Sequence, residues 1–287
     1  MTALRSFAPA KVNLYLHVTG KRADGYHLLD SLIVFAGIGD YIEAQAAGEL
    51  SLTITGATGH LLEANEDNLV LKAARALAAA GNVPPYATIT LEKNLPVASG
   101  IGGGSADAAA TLRVLSKLWN LKIPLEPIAL SLGADVPVCL ARKTCRMTGI
   151  GEALQKGPAM PDMGLVLINP GVPVPTKEIF AARKGPFSPV VNPPVAWRET
   201  KFLAADIADH KNDLQAPAIA RVPEIAAVLE TLRDDKKCLL ARMSGSGATC
   251  FGLYENPADA AMAAHTIRHP SWWKWGGGLA EILLHDL

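Results

Sequence analysis

The segment Leu95–Ala110 reads Leu-Pro-Val-Ala-Ser-Gly-Ile-Gly-Gly-Gly-Ser-Ala-Asp-Ala-Ala-Ala, so that four glycines and a serine lead directly into helix-forming residues. Glycine lets backbone N–H groups approach an anion closely, and the first turn of a helix adds unpaired N–H donors and the positive end of its dipole. The segment therefore predicts a loop that binds a phosphate group at the start of a helix.

Two better-known glycine loops do not fit this segment. A Walker A loop needs a lysine after its last glycine, whereas Ser105 stands between Gly104 and Ala106. The dinucleotide fingerprint begins well at Gly100 and Gly102, but its final glycine would fall on Ser105. A plain tight turn remains an alternative, although three consecutive glycines cost more conformational entropy than a turn requires.

A cation and a carboxylate elsewhere in the chain could complete a phosphoryl-transfer site. Lys11 and Asn13 alternate along the first predicted strand and therefore lie on one face. Asp135 lies in the turn Gly-Ala-Asp-Val-Pro. Transfer to a hydroxyl needs a carboxylate near the proton and a cation near the developing charge, which Asp135 and Lys11 can supply. The alternatives are a solvated lysine and an aspartate that bonds its own turn.

Two further segments could contact a ligand. Tyr26 and His27 stand beside a turn between strands, where an aromatic ring can stack on a base and an imidazole can hydrogen-bond its edge. An ordinary hairpin with a half-buried tyrosine fits the same spacing equally well. A second glycine loop, Met243–Thr249, lies between two apolar strands and offers more backbone donors, so the two loops could grip phosphates from two sides.

Short apolar runs that often alternate predict an antiparallel meander in the first 55 residues, with turns at 20–25 and 37–40. Asp67 or Asn68 is expected to cap the next helix. Later runs predict helix and strand again, which favours two α+β layers over a doubly wound parallel sheet. An exposed proline-rich connection is expected at 184–195. The predicted strands are Val12–Val18, Leu28–Phe35, Tyr41–Ala46, Leu50–Thr55, Ala87–Glu92, Gly164–Asn169 and a hairpin over Leu239–Tyr254; the predicted helices are Leu69–Ala80, Gly103–Trp119, Pro127–Leu132, Thr176–Arg183, Asn212–Ala220 and Glu224–Arg233.

Composition sets limits on function. The 287 residues are 49% hydrophobic and carry zero formal net charge, so no basic excess favours nucleic acid. No apolar run reaches the length of a membrane span, and residues 1–13 lack the apolar stretch of a signal peptide, so a cytoplasmic protein is expected. The four cysteines show no Cys-x-x-Cys spacing and are expected to be reduced core thiols: Cys139, Cys145, Cys238 and Cys250.

Taken together, these segments resemble the GHMP small-molecule kinases, whose three motifs match Pro96–Ala106, Gly133–Pro137 and Ser244–Thr249 in order along nearly the whole chain. Within that superfamily, Ala-Pro-Ala-Lys-Val-Asn-Leu, Lys-Arg-Ala-Asp-Gly-Tyr-His-Leu-Leu-Asp-Ser and Gly-Gly-Gly-Ser-Ala-Asp-Ala-Ala resemble the branch that acts on a diphosphocytidyl sugar alcohol. The resemblance implies an α+β fold of two domains. An N-terminal domain similar to ribosomal protein S5 domain 2 would span 1–155, and a ferredoxin-like domain would span 156–287, with the site between them.

The resemblance also implies ATP-dependent phosphorylation of the 2-hydroxyl of 4-diphosphocytidyl-2-C-methyl-D-erythritol, in the non-mevalonate route to isoprenoid precursors. Asp135 would be the general base and Lys11 its partner, with Ser105 near Mg²⁺ and Asn68 on the adenosine side. The ATP phosphates would be held by Pro96, Val97, Ala98, Ser99, Gly100, Ile101, Gly102, Gly103, Gly104, Ser105 and Ala106. The acceptor would be held by Asn13, Tyr26, His27, Thr176, Ser244, Gly245, Ser246 and Gly247.

Two alternatives stay open: another kinase of this fold that acts on mevalonate, homoserine or a sugar, and a nucleotide-binding regulator without catalysis. The chain is expected to be a monomer or weak homodimer with a small-molecule substrate and neither nucleic acid nor membrane as partner. One departure concerns the phosphate loop, because Ala98 and Ser99 stand where many relatives have glycine. A positive φ at Ser99 would be strained, so an altered first half of the loop is expected.

Overall fold

The computed structural model describes residues 3–281; the expected domains' extreme ends, 1–2 and 282–287, lie outside the described residues. The first half of the chain forms a six-stranded sheet in which β1 pairs with β2 and the remaining order is β3-β4-β2-β5-β6. Its strands are β1 (Leu4–Lys21), β2 (His27–Ala46), β3 (Leu50–Thr55), β4 (Ala87–Glu92), β5 (Cys145–Gly149) and β6 (Ala153–Lys156).

The expected antiparallel meander is wrong in two places. Residues 37–40 make no turn, because β2 runs unbroken from His27 to Ala46 and its pairing with β1 shifts between Pro9 and Lys11. The extra residues of β2 form a bulge, where a Cβ at Gly39 would lie 2.3 Å from the carbonyl oxygen of Ala8. In addition, β3 pairs in parallel with β4, since the helix between them makes a crossover connection long enough for parallel pairing.

Four helices and a short 3-10 turn (Gly59–Leu61) belong to this half: α1 (Leu69–Gly81), α2 (Gly103–Leu118), α3 (Glu126–Leu132) and α4 (Val136–Ala141). The side chain of Asn68 caps α1 by accepting a hydrogen bond from the N–H of Val70 at 3.0 Å. Small side chains along α2 are fully buried in the core shared with α1 and the sheet, including Ala108, Ala109 and Ala110. These alanines let α2, the helix that follows the phosphate loop, pack closely and rigidly.

The second half forms a four-stranded antiparallel sheet with the order β10-β7-β9-β8. Its strands are β7 (Gly164–Asn169), β8 (Leu240–Met243), β9 (Cys250–Tyr254) and β10 (Trp273–Gly277); its helices are α5 (Thr176–Ala182), α6 (Thr200–Ala208), α7 (Gln215–Arg221), α8 (Glu224–Asp234) and α9 (Pro257–Thr266). Helices connect the first strand to the second and the third to the fourth, which is the ferredoxin-like arrangement. The expected fold is confirmed. Helix α6 was not predicted, because its nine residues carry too short an apolar pattern.

Strand β1 contributes to the cores of both halves. Ala8 packs into the core of the first half, whereas Leu16 and Val18 pack with residues of the second. The connection 184–195 is exposed as expected except at Ser188 and Val191, whose N–H groups bond the Val18 carbonyl and the Asp30 carboxylate. A domain boundary after residue 155 stays a prediction, because β1 belongs to both parts.

Within residues 3–281, no helix is long and apolar enough to cross a membrane. All four cysteines are free thiols, three of them buried and Cys238 partly so. Burial raises the pKa of Cys139, Cys145, Cys238 and Cys250, which keeps these thiols protonated.

Candidate active site

A cavity of about 1030 Å³ lies between the two halves. The first half contributes the phosphate loop, Lys11 and Asp135, while the second contributes Thr176 and Gly245. The cavity therefore brings together the chemical groups that the sequence analysis singled out, from positions far apart in the chain.

Lys11 and Asp135 form an ion pair at this cavity, with Lys11 Nζ 3.0 Å from Asp135 Oδ2. The lysine is 3% exposed, whereas 40% of the Asp135 side chain is exposed. The interpretation of Lys11 as a solvated surface residue is therefore wrong. Asp135 makes no capping hydrogen bond at the start of α4, so its carboxylate is not used to hold its own turn. A substrate hydroxyl can reach Asp135, with the Lys11 ammonium fixed behind it.

Hydrogen bonds from β1 fix the direction of the lysine. Lys11 Nζ donates to Asn13 Oδ1 at 3.3 Å, and Asn13 Nδ2 donates to Ser31 Oγ at 2.8 Å. The backbone N–H of Lys11 donates to the carbonyl oxygen of Ile101 at 2.9 Å. This bond joins the backbone of Lys11 to the phosphate loop, so the strand that carries the cation lies at a fixed distance from the loop.

The phosphate loop leads into α2 through Gly102, which takes a left-handed φ of 67° and provides no side-chain cap. The first N–H groups of α2 have no side-chain cap and can meet an anion. A positive φ, which would be strained at Ser99, falls on Ala98 with φ 50°. Ser99 is instead buried, and its carbonyl oxygen accepts a hydrogen bond from the N–H of Thr249.

The second glycine loop packs directly against the first. A Cβ at Gly100 would lie 2.7 Å from the carbonyl oxygens of Ser244 and Gly247, and one at Gly245 would lie 2.5 Å from the Gly100 oxygen. Ser244 Oγ also accepts from the Asn13 N–H at 3.0 Å. The two glycine loops are therefore in direct contact, and the second loop fixes the position of the first.

The remaining loop residues differ in their access to the cavity. Pro96, Val97, Ala98, Ser99, Gly100, Gly102, Gly103, Gly104 and Ser105 line it, as do Gly245 and Ser246. Ile101 and Ala106 point into hydrophobic cores, and Ser244 is fully buried. Gly247 is not among the lining residues. Asn68 lines the cavity, but its amide is already used to cap α1 and to bond the Glu63 carbonyl.

A buried charge cluster beneath the loop was not predicted. Lys93 Nζ lies 2.5 Å from Asp40 Oδ2 and 2.6 Å from Asp107 Oδ2. Asp40 Oδ1 accepts the N–H groups of Asn94 and Leu95, just before the phosphate loop, while Asp107 lies in α2 just after it. One ammonium therefore holds both ends of the loop. Burial raises the pKa of Asp107, against the opposing effect of Lys93, and Asp107 Oδ1 has no hydrogen-bond partner.

An aromatic patch lies at another part of the cavity. Tyr26 is 61% exposed, which contradicts the half-buried tyrosine of an ordinary hairpin. The His27 ring stacks on Phe180 with centroids 5.3 Å apart and planes inclined by 28°. Burial, Lys21 and Arg183 lower the pKa of His27, so that its neutral ring can both donate and accept hydrogen bonds.

Helix α5 joins this patch to the second glycine loop. Thr176 Oγ1 lies 2.9 Å from Ser246 Oγ, and Phe180 follows one helical turn later on the same side. Phe180 was not predicted as a site residue. Its spacing of four from Thr176 is the sequence signal that could have identified it.

Two family models match this chain: the GHMP kinases N terminal domain over residues 68–143 and the GHMP kinases C terminal domain over residues 201–270. The 4-diphosphocytidyl-2-C-methyl-D-erythritol kinase of Paramagnetospirillum magneticum is 54% identical, covering 95% of this chain and 97% of its own. The enzyme of the same name from Granulibacter bethesdensis is 52% identical, covering 96% and 94%.

Solved structures agree with the sequence matches. A crystal structure of 4-(cytidine 5'-diphospho)-2C-methyl-D-erythritol kinase is 34% identical with a TM-score of 0.80, covering 97% of this chain and all of its own. Homoserine kinase from Cytophaga hutchinsonii, at 17% identity and a TM-score of 0.69, shares the fold, with 97% and 95% covered. This chain therefore belongs to the GHMP kinases and, among them, to the family of the 4-diphosphocytidyl-2-C-methyl-D-erythritol kinases.

Proposed function

We propose that this kinase transfers the γ-phosphoryl group of ATP to the 2-hydroxyl of 4-diphosphocytidyl-2-C-methyl-D-erythritol, in the non-mevalonate route to isoprenoid precursors. The observation that carries the proposal is the ion pair of Lys11 and Asp135, which lies in one cavity with a phosphate loop and with the Tyr26, His27 and Phe180 patch. The cavity thus combines a site for a transferable phosphate, a site for a hydroxyl and a surface for an aromatic base.

In the transfer step, the acceptor oxygen forms a bond to the γ-phosphorus while the bond from that phosphorus to the bridging oxygen of ADP breaks. Asp135 takes the hydroxyl proton or orients the hydroxyl until the proton leaves. The Lys11 ammonium stabilises negative charge on the attacking oxygen and the phosphoryl group. Because Lys11 is held by Asn13 and by the Ile101 carbonyl, it needs little reorganisation when the charge develops.

The phosphate loop would bind the nucleotide mainly through its backbone. The lining residues from Pro96 to Ser105 and the N–H groups at the start of α2 suit the phosphates. Asn68, in the same cavity, is proposed to lie toward the adenosine, where its position as a helix cap limits it to secondary contacts. Ile101 and Ala106 would act through packing or backbone only.

The acceptor would occupy the part of the cavity that reaches from Asp135 to the aromatic patch. Tyr26 and Phe180 offer rings on which cytosine can stack, and neutral His27 offers hydrogen bonds to its edge. Asn13, Thr176 and the Ser244–Gly247 loop would support the acceptor near the reacting hydroxyl, Ser244 and Gly247 by holding the loop in place.

Mg²⁺ would be bound together with the nucleotide. Among residues 3–281 no group of three histidine, cysteine, aspartate or glutamate side chains is placed to hold a metal. Ser105 lies at the cavity in the first turn of α2, where its hydroxyl fits a single ligand to a cation whose other ligands are phosphate oxygens and water. Such a cation would neutralise charge on the phosphates. We further propose a cytoplasmic monomer or weak homodimer.

The test is an assay of ADP release from ATP, with 4-diphosphocytidyl-2-C-methyl-D-erythritol compared with mevalonate, homoserine and galactose as acceptors. We expect stimulation by the diphosphocytidyl acceptor and a large increase of its KM in Tyr26→Ala. Stimulation by another acceptor would contradict the proposed substrate and favour another kinase of this fold. ATP binding without stimulation by any acceptor would indicate a regulator.

A further inference from the structure

Two lysines of the cavity lack a carboxylate partner. Lys21, at the end of β1, and Lys177, in the first turn of α5, both line the cavity. Within residues 3–281 neither forms an ion pair. The other two cavity lysines differ, because Lys11 is paired with Asp135 and Lys93 with two carboxylates. Lys21 and Lys177 are therefore the lysine ammonium groups of this cavity left available to a ligand.

Both lysines lie beside the proposed cytosine site. Lys21 is the direct partner of His27 in the pairing of β1 with β2, and its charge contributes to the low pKa of His27. Lys177 follows Thr176 and precedes Phe180 on α5, and all three line the cavity. Thr176 contacts the second glycine loop, while Phe180 stacks on His27. Lys177 thus lines the cavity on the same short helix as a residue that contacts the second glycine loop and a residue of the aromatic patch.

The charge around these lysines favours an anionic ligand. Asp24 also lines this part of the cavity, but its carboxylate is paired with Arg22 at 2.8 Å and accepts the Tyr26 N–H. Arg183, whose charge also reaches His27, donates to the carbonyl oxygens of Gly185 and Pro186. Lys21 and Lys177 can therefore act on a bound anion without first breaking an ion pair.

We propose that Lys21 and Lys177 bind the diphosphate of the acceptor and thereby select acceptors that carry a diphosphate. The proposal rests on the proposed function, in which the diphosphate joins cytidine, bound at the aromatic patch, to the methylerythritol unit near Asp135. Lysine ammonium groups suit a diphosphate, since each offers three donors on a flexible stem. ATP is bound at the phosphate loop and does not need them.

The test compares cytidine 5'-diphosphate with cytidine as probes of Lys21→Gln, Lys177→Gln and the double variant by calorimetry. We expect each single change to weaken the binding of cytidine 5'-diphosphate about tenfold, the typical effect of one charge-assisted hydrogen bond. The affinity for cytidine should stay unchanged. Lys236→Gln removes an exposed lysine outside the cavity and is the matched control. In turnover, the variants should raise the KM of the acceptor while the KM of ATP stays constant.

Salt gives a second readout. Added salt should lower the affinity of the wild type for cytidine 5'-diphosphate, because salt screens the charges of Lys21 and Lys177. The effect should be smaller in the double variant, which lacks these two charges. The proposal would be overturned if the lysine variants lost equal affinity for both probes, or lost affinity for neither. If the wild type phosphorylates the acceptor and yet the probes show no difference, the lysines are wrongly assigned and the proposed function stands. If the wild type shows no turnover, the two probes still decide whether the lysines bind a diphosphate.

Discussion

At the scale of single residues, the proposed phosphoryl transfer uses the exposed carboxylate of Asp135 together with the buried ammonium group of Lys11. We predict that Asp135→Asn lowers kcat by about 10²–10⁴-fold, because asparagine nearly keeps the shape but cannot take the proton. ATP binding, measured by calorimetry, should change only a few-fold. Asp162→Asn, at an exposed site outside the cavity, is the control. Undiminished kcat in Asp135→Asn would contradict the role assigned to this residue.

The pKa of His27 tests the electrostatics of the acceptor end. Burial lowers this pKa first, and the positive charges of Lys21 and Arg183 lower it further. Removing one positive neighbour stabilises the imidazolium, so Lys21→Gln should move the pKa of His27 upward, toward its ordinary value. The change is measured by NMR titration of the ring proton, with Lys236→Gln as the reference. A constant pKa would show that Lys21 does not act on this ring.

In the buried cluster of Lys93, Asp40 and Asp107, two substitutions should lower the free energy of unfolding by different amounts. Lys93→Met leaves two buried carboxylates without their cation and should lower the free energy of unfolding by about 3–5 kcal/mol. Asp107→Asn should lower the free energy of unfolding far less. Burial raises the pKa of Asp107, and an amide oxygen at this position can still accept a hydrogen bond from Lys93. Urea unfolding of both variants measures the difference, and equal costs would contradict this account.

At the scale of elements, the contact between the two glycine loops makes a sharp prediction. Gly100→Ala places a Cβ 2.7 Å from two carbonyl oxygens at a φ of +75°, so it should separate the loops and raise the KM of ATP. Gly48→Ala is the matched control, since Gly48 lies outside the cavity and a Cβ there meets no atom within 4 Å. This control should leave the KM of ATP unchanged. Similar losses in both variants would contradict the packing argument.

The sequence predicted the elements better than their partners. The glycine run, the start of α2 and the cap at Asn68 follow from local backbone chemistry, and the structure places them as expected. The parallel pairing of β3 with β4 was missed because alternation of apolar residues identifies a strand but not its neighbour. The bulge at 36–38, beside Gly39, was missed because glycines suit a turn and a close strand approach equally well.

Among the charged residues of the site, the sequence identified some and missed others. Lys11 and Asp135 were identified because phosphoryl transfer requires their residue types. Lys93 was missed, since a lysine at the end of a strand usually lies in solvent and only the fold brings Asp40 and Asp107 to it. The left-handed φ in the first half of the loop lies at Ala98, and the sequence could not locate it because the conformation of each loop residue depends on contacts beyond the loop, here the bond from Thr249 to Ser99.

At the scale of the whole molecule, the two halves both pack their cores against β1 and also meet beside the phosphate loop, where Trp273 Nε1 donates to the Asn94 carbonyl at 3.0 Å. We predict one cooperative unfolding transition for both halves. Trp119→Phe removes the tryptophan of the first half, so that every remaining tryptophan lies in the second half of the chain. Their fluorescence should change at the same urea concentration as the far-ultraviolet circular dichroism. Separate midpoints would show that the halves unfold independently.

The place of β1 ahead of the residues that support it has a consequence for synthesis. This strand leaves the ribosome before the residues that support it, with a long series of residues that are buried in the folded protein. Its hydrogen bond from Asn13 needs Ser244, 231 residues later, and the phosphate loop needs Thr249. A nascent chain that ends before these residues carries Lys11 and Asp135 but lacks the support that fixes them. Activity therefore arises only after residue 249 has been synthesised, and until then β1 exposes apolar residues to which chaperones can bind.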